Sequence, residues 1–126
     1  MTQEEKDLLL QDICSRLPYG VKVEYENEIF DVEYVSPMYE EVKLDIPETW
    51  TIGVSEVKPY LFPMSSMTEW QDRELEILMK NTIESCGILS PYDCLEMERF
   101  FNENHLDWRG LIPMGLANDA TGKNIY

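Results

Sequence analysis

Leu8, Leu9, Ile13 and Leu17 recur at near-helical spacing behind a Thr2/Glu5 pair. That spacing, with a capping box three residues wide, predicts a helix over roughly 3–16, stopped by Pro18 and Gly20. From residue 21 the period changes to two. Pairing the runs around Asn27-Glu28 sets Tyr25 against Phe30, Val23 against Val32 and Val21 against Tyr34. A second reversal near 36–40 sets Tyr34 against Val42, Val32 against Leu44 and Phe30 against Ile46. The prediction is a three-stranded antiparallel meander with one apolar face. The stretch Trp50-Thr51-Ile52-Gly53-Val54 offers a fourth strand, which would curl the sheet toward an SH3-like partial barrel.

Beyond the sheet the pattern turns helical again. VKPYLFPMSSM at 57–67 carries prolines at 59 and 63, which are expected to rule out a central strand and a continuous helix and predict a packed connector. Thr68 and Gln71 form a second capping box, opening a helix of roughly 69–85 with Leu75, Leu78, Met79, Ile83 and Cys86 as its apolar stripe and Gly87 as its cap. Ser90 and Pro91 open a third helix, carrying Leu95, Met97, Phe100 and Phe101 and ending near Asn104. Asp107 is placed to cap a short turn, after which Leu111, Ile112, Met114 and Leu116 seal helices onto sheet. Residues 118–126 are polar and expected to fray. The chain therefore reads as a single α+β domain over 1–126: N-terminal helix 1–17, antiparallel sheet 21–56, connector 57–67, helical part 68–117 and polar tail 118–126. Three to four helices pack over the apolar face of the sheet.

Composition narrows the function classes. The chain has 126 residues, 44% hydrophobic, enough for one core. A net charge of −15 opposes contact with nucleic acid and anionic membrane, since phosphate binding needs clustered Lys and Arg. No apolar run approaches the roughly 18 residues of a membrane span, and the start is acidic, unlike an export signal. A cytoplasmic setting is expected. Three cysteines at irregular spacing do not form a disulfide framework and are expected to be reduced and mostly buried.

Candidate chemistry is sparse. The meander aligns Glu24, Asp31 and Asp45 in one acidic row on the solvent face, beside a row alternating Lys22, Glu33 and Lys43. Like charges opposite one another cost about 0.2–1 kcal/mol per pair, which a divalent cation would offset, but nothing buries these acids as a carboxylate-pair hydrolase requires. Cys86, Cys94, His105 and Cys14 lack the tight pair spacing of a zinc site, so Cys86 and Cys94 read as core-facing thiols. His105 sits just past a helix end, where the dipole favours positive charge. Arg109 is expected to pair with carboxylates. No nucleophile elbow, P-loop or dinucleotide fingerprint occurs. No catalytic residue, cofactor or metal is therefore assigned. Tyr60, Leu61, Phe62, Met64, Met67 and Trp70 crowd around the two prolines, and if uncovered they would make a protein-interaction surface. The surface named is Tyr60, Phe62, Met64, Met67 and Trp70.

RLPYGVKV at 16–23, VKPYLFPMSSMT at 57–68 and DWRGLIPMGLA at 107–117 together resemble a family of small uncharacterised proteins common in gut Bacteroides-type bacteria, their prophages and integrated mobile elements. The resemblance spans most of the chain, implies an origin and implies no chemistry. It departs at Phe62, where a charged residue is expected. The reading is a non-enzymatic accessory domain that binds a protein partner. The alternative is an acidic mimic of nucleic acid that blocks a host protein's basic groove, and a metal-dependent enzyme stands third.

Overall fold

The structure, a computed structural model, describes residues 1–46, 51–86 and 91–126, without the side chains of 80–86. Helix α1 spans Gln3–Arg16, opened by the expected capping box: Thr2 Oγ1 accepts the Glu5 N–H and Glu5 Oε1 accepts the Thr2 N–H, both at 3.1 Å. Strands β1 (Lys22–Tyr25), β2 (Glu28–Ser36), β3 (Glu41–Leu44) and β4 (Thr51–Gly53) follow as an antiparallel meander. Strand β5 (Lys58–Leu61), helices α2 (Glu69–Cys86) and α3 (Pro91–Glu103), and strand β6 (Asn118–Asp119) complete the described elements. The strands form one open mixed sheet in the order β4-β3-β2-β1-β5-β6. The fold is α+β, but six-stranded and not closed, so the barrel expectation falls. Trp50, Gly87 and Ser90, and the side chains of Ile83 and Cys86, lie outside the described residues.

The meander holds with two corrections. Val23 pairs with Phe30 and Tyr25 with Glu28, a slip of two residues from the expected register. The turn is Glu26-Asn27, both at positive φ (49° and 64°), the two-residue geometry whose twist suits a hairpin. Because the side-chain period is two, this slip leaves Val21, Val23, Tyr25, Phe30 and Val32 on the same face. Tyr25 and Phe30 still touch, with ring centroids 6.4 Å apart. The second correction is a bulge after Val32. Val32 faces Leu44 as expected, but Tyr34 then pairs with Lys43 and Val35 with Val42. One extra residue in β2 reverses the alternation, so Val35 packs on the core and Tyr34 points to solvent.

Lys58–Leu61 is no connector: it lies between β1 and β6, with Pro59 opposite Val23. Leu61 O accepts the Ala120 N–H at 2.8 Å, so the pleat turns Pro59 toward the same β6 side. The N–H that proline lacks is therefore no rung of the β1–β5 ladder. Residues 118–126 begin as a strand rather than as a loose tail, since β6 pairs in parallel with β5 through Tyr60↔Asn118 and Leu61↔Asp119.

Leu9, Leu10 and Ile13 of α1 cover the sheet's apolar face together with Leu111, Leu116 and Ala117 of the loop that follows α3. Met114, expected among the sealing residues, is exposed. None of the described side chains of α2 belongs to this core, and none of them is buried. The expectation that the later helices lie over the sheet fails because α1 and the 111–117 loop already occupy that face.

Candidate functional site

The loop 105–117 fastens α1 to α3 through buried charge. Asp12, fully buried on α1, accepts from Arg16 Nε at 3.0 Å, Arg16 Nη2 at 3.1 Å and Arg109 Nη1 at 2.7 Å. Arg16 Nη2 also donates to the Leu106 carbonyl at 2.7 Å, and Arg109 Nη2 donates to Glu98 of α3 at 3.1 Å. Two guanidinium groups thus meet two carboxylates, and the cluster is neutral as a unit. The Arg109 guanidinium lies 4.0 Å over the Trp108 ring, whose Nε1 donates to Asn102 Oδ1 at 3.0 Å. Asp107 caps the loop itself, accepting the N–H groups of Leu111 at 2.7 Å and Ile112 at 2.9 Å. Arg109 pairs with carboxylates as expected. Asp12 was not singled out in the sequence, although its spacing of four from Arg16 was visible.

His105 ends α3 in a different way from the one expected. Leu106 N–H reaches the Phe101 carbonyl and His105 N–H the Asn102 carbonyl, with His105 at φ 56°, a Schellman-type stop that usually employs glycine. Its imidazole is not a cation serving the helix dipole. Burial, with Arg16 and Lys22 nearby, pushes its pKa down to about 4, so the ring is neutral at pH 7. The ring stacks on Tyr126 at 3.6 Å between centroids and 13° between planes. Tyr126 in turn accepts the Lys22 N–H at 3.0 Å and donates to the Tyr60 carbonyl at 2.9 Å.

The residues expected to form an interaction surface differ in exposure. Tyr60 is 5% exposed in β5, Phe62 is half-buried against Tyr126, and Met64 and Met67 are half-buried. Only Trp70, at 68%, stands in solvent. The acidic row also breaks up. The register slip puts Glu24 opposite Ile29 and Asp31 opposite Lys22, whose Nζ lies 2.8 Å from the Asp31 carboxylate. Asp45 follows β3, where its N–H donates to the Asp31 carbonyl at 2.8 Å. Lys43 is buried, its Nζ donating to the Leu44 and Ile46 carbonyls and lying 3.5 Å from Glu33. The like-charge cost inferred from the expected register therefore does not arise between Glu24 and Asp31.

Large apolar surface is exposed elsewhere. Trp70 and Ile77 (59%) on α2, and Tyr92 (68%) and Leu95 (64%) on α3, all face water. A cleft of about 280 Å³ lies between α3 and the loop, lined by Cys94, Met97, Glu98, Phe101 and Trp108. Cys94 is exposed rather than core-facing, and burial pushes the half-buried Cys14 thiol up, away from its reactive thiolate form. Among the described residues no three His, Cys, Asp or Glu side chains gather as a metal site, and no helix is long and apolar enough to cross a membrane. Comparison of the chain with protein-family models, with curated proteins and with solved structures gives no match.

Proposed function

We propose that this is a non-enzymatic protein-interaction domain, of the accessory kind that bacterial prophages and mobile elements carry, and that its contact surface lies on α2 and α3 rather than on residues 57–67. The observation that carries this reading is the division of labour among the helices. The core is closed by α1 and the 111–117 loop, while α2 buries none of its described side chains and holds Trp70 and Ile77 in water. Helix α3 adds Tyr92 and Leu95. Exposed aromatic and aliphatic side chains of this size are what a partner's apolar surface covers. The pairing of Lys22 with Asp31 and of Lys43 with Glu33 breaks the run of like charge that a nucleic-acid mimic needs, which favours the interaction reading over that alternative.

The test is a capture experiment in 0.5 M salt with the full chain and a double variant, Trp70→Ala with Leu95→Ala. A partner held by apolar contact persists in salt and is lost with the variant, whose melting temperature stays near that of the parent because neither side chain is in the core. A partner released by salt, or retained by the variant, overturns this assignment.

A further inference from the structure

The contact between Tyr126 and the sheet has the features of a binding site filled by the chain's own side chain. In the β1–β5 ladder the pairs Glu24↔Lys58 and Val23↔Pro59 would be followed by Lys22 and Tyr60. There the Lys22 N–H and the Tyr60 carbonyl meet through a third group. The Tyr126 hydroxyl stands between them, taking the Lys22 N–H at 3.0 Å and giving its own proton to the Tyr60 carbonyl at 2.9 Å. His105 stacks against the ring and Phe62 sits beside it, with centroids 6.0 Å apart. One donor, one acceptor and an aromatic platform are thus arranged for a phenol, the chemistry of a tyrosine side chain.

The segment that carries the occupant is largely exposed. After Ala120, whose N–H is bonded to Leu61, residues 121–124 are exposed, and Tyr126 itself keeps 40% of its surface in water. Gly122 and Asn124 lie at positive φ (79° and 52°), so the connection is a run of turns rather than a strand. The pairing of β6 with β5 involves Asn118 and Asp119 and does not depend on residues 121–126.

We propose that the slot between Lys22, Tyr60, Phe62 and His105 recognises tyrosine, that Tyr126 occupies it in cis, and that a tyrosine on an extended segment of a partner protein takes it in trans. This rests on the interaction-domain reading and adds a second, separable contact. A ligand in solution competes with a side chain tethered at millimolar effective concentration, so removing Tyr126 should unmask the slot.

Binding of p-cresol and of N-acetyl-tyrosinamide is followed through the Lys22 amide resonance in the full chain. The Tyr126→Ala variant should bind p-cresol at least tenfold more tightly than the parent, and at least tenfold more tightly than it binds toluene, which fills the space without the hydroxyl. N-acetyl-tyrosinamide should match or exceed p-cresol. Equal binding of toluene and p-cresol marks a mere cavity and overturns the proposal, and a clear preference for p-cresol over the amide overturns its peptide form. If Tyr126→Ala does not fold, Tyr126→Phe serves: tryptic cleavage after Lys123, read by intact mass, should quicken several-fold and quicken further with p-cresol. Unchanged cleavage refutes the slot. Failure here leaves the Trp70/Leu95 experiment untouched, and failure there leaves this one standing.

Discussion

Replacing Asp12 by Asn tests whether the neutral cluster is what joins α1 to the 105–117 loop. The change is nearly isosteric and removes one charge from a site where Asp12, Arg16 and the Arg109 side chain are 0%, 1% and 5% exposed, so solvent screening does not soften the effect. The carboxylate accepts three charge-assisted hydrogen bonds, each worth about 1.5–3 kcal/mol and not additive. Breaking a buried pair costs about 3–5 kcal/mol, because the partner charge stays buried. The amide oxygen still accepts from one guanidinium while its NH2 group faces another, so a loss of about 3 kcal/mol is expected. With a urea slope of about 1.5–2 kcal/mol/M, the midpoint should fall by about 1.5–2 M at unchanged slope. Glu103→Gln is the control. Glu103 meets Arg99 at 2.8 Å, as short a contact, but the Arg99 and Glu103 side chains are 58% and 40% exposed, and the expected change is within about 0.5 kcal/mol. A loss below about 1 kcal/mol for Asp12→Asn, or one equal to that of the control, refutes the argument that burial makes this cluster structural.

Two further outcomes follow from the same physics. His105 is held near pKa 4 in the fold against 6.5 when unfolded. The unfolded chain therefore takes up the proton first, and stability falls as pH drops from about 7 toward 4. The full difference would be about 3.4 kcal/mol, and partial exposure reduces it to about 1–2 kcal/mol. His105→Asn, which tolerates the positive φ and does not titrate, should flatten that part of the stability curve in urea melts at successive pH values. An unchanged slope would show that other groups produce it. In the β1–β2 turn, Glu26→Asn with Asn27→Gly supplies residues suited to both positive φ angles. Stability should rise by about 1 kcal/mol, seen as a melting temperature about 3–5 °C higher, and a decrease would mean that this is not the turn adopted.

How far the fold was legible follows from the range of each signal. The bounds of α1 and the start of α2 are written in capping residues within three positions of the helix they begin, as Thr2/Glu5 and Thr68/Gln71 show. The face of each early strand was legible because a slip of two residues preserves parity. The bulge after Val32 was not, since a single inserted residue leaves no mark in an alternating pattern until the partner strand is known. That one residue turned Tyr34 outward, while the slip in the first hairpin dispersed the acidic row. Residues 57–67 misled because a proline excludes a strand only where its N–H would be needed, and which side of β5 faces which neighbour is a tertiary fact. Tyr126 and Asp12 were overlooked because neither sits in an apolar period or a motif.

By itself, then, the sequence determined the local elements: three helices with the N-terminal caps of the first two, an antiparallel run from Lys22 to Leu44 with its apolar side down, and a net charge of −15. Tertiary structure alone decided which helix covers the sheet, that Asp12, Arg16 and Arg109 would share one buried site, and that residue 126 would return to bridge Lys22 and Tyr60. Caps and periodicity act over a few residues. The competition of α1, α2 and the 111–117 loop for a single apolar face is settled only when the whole chain is in place.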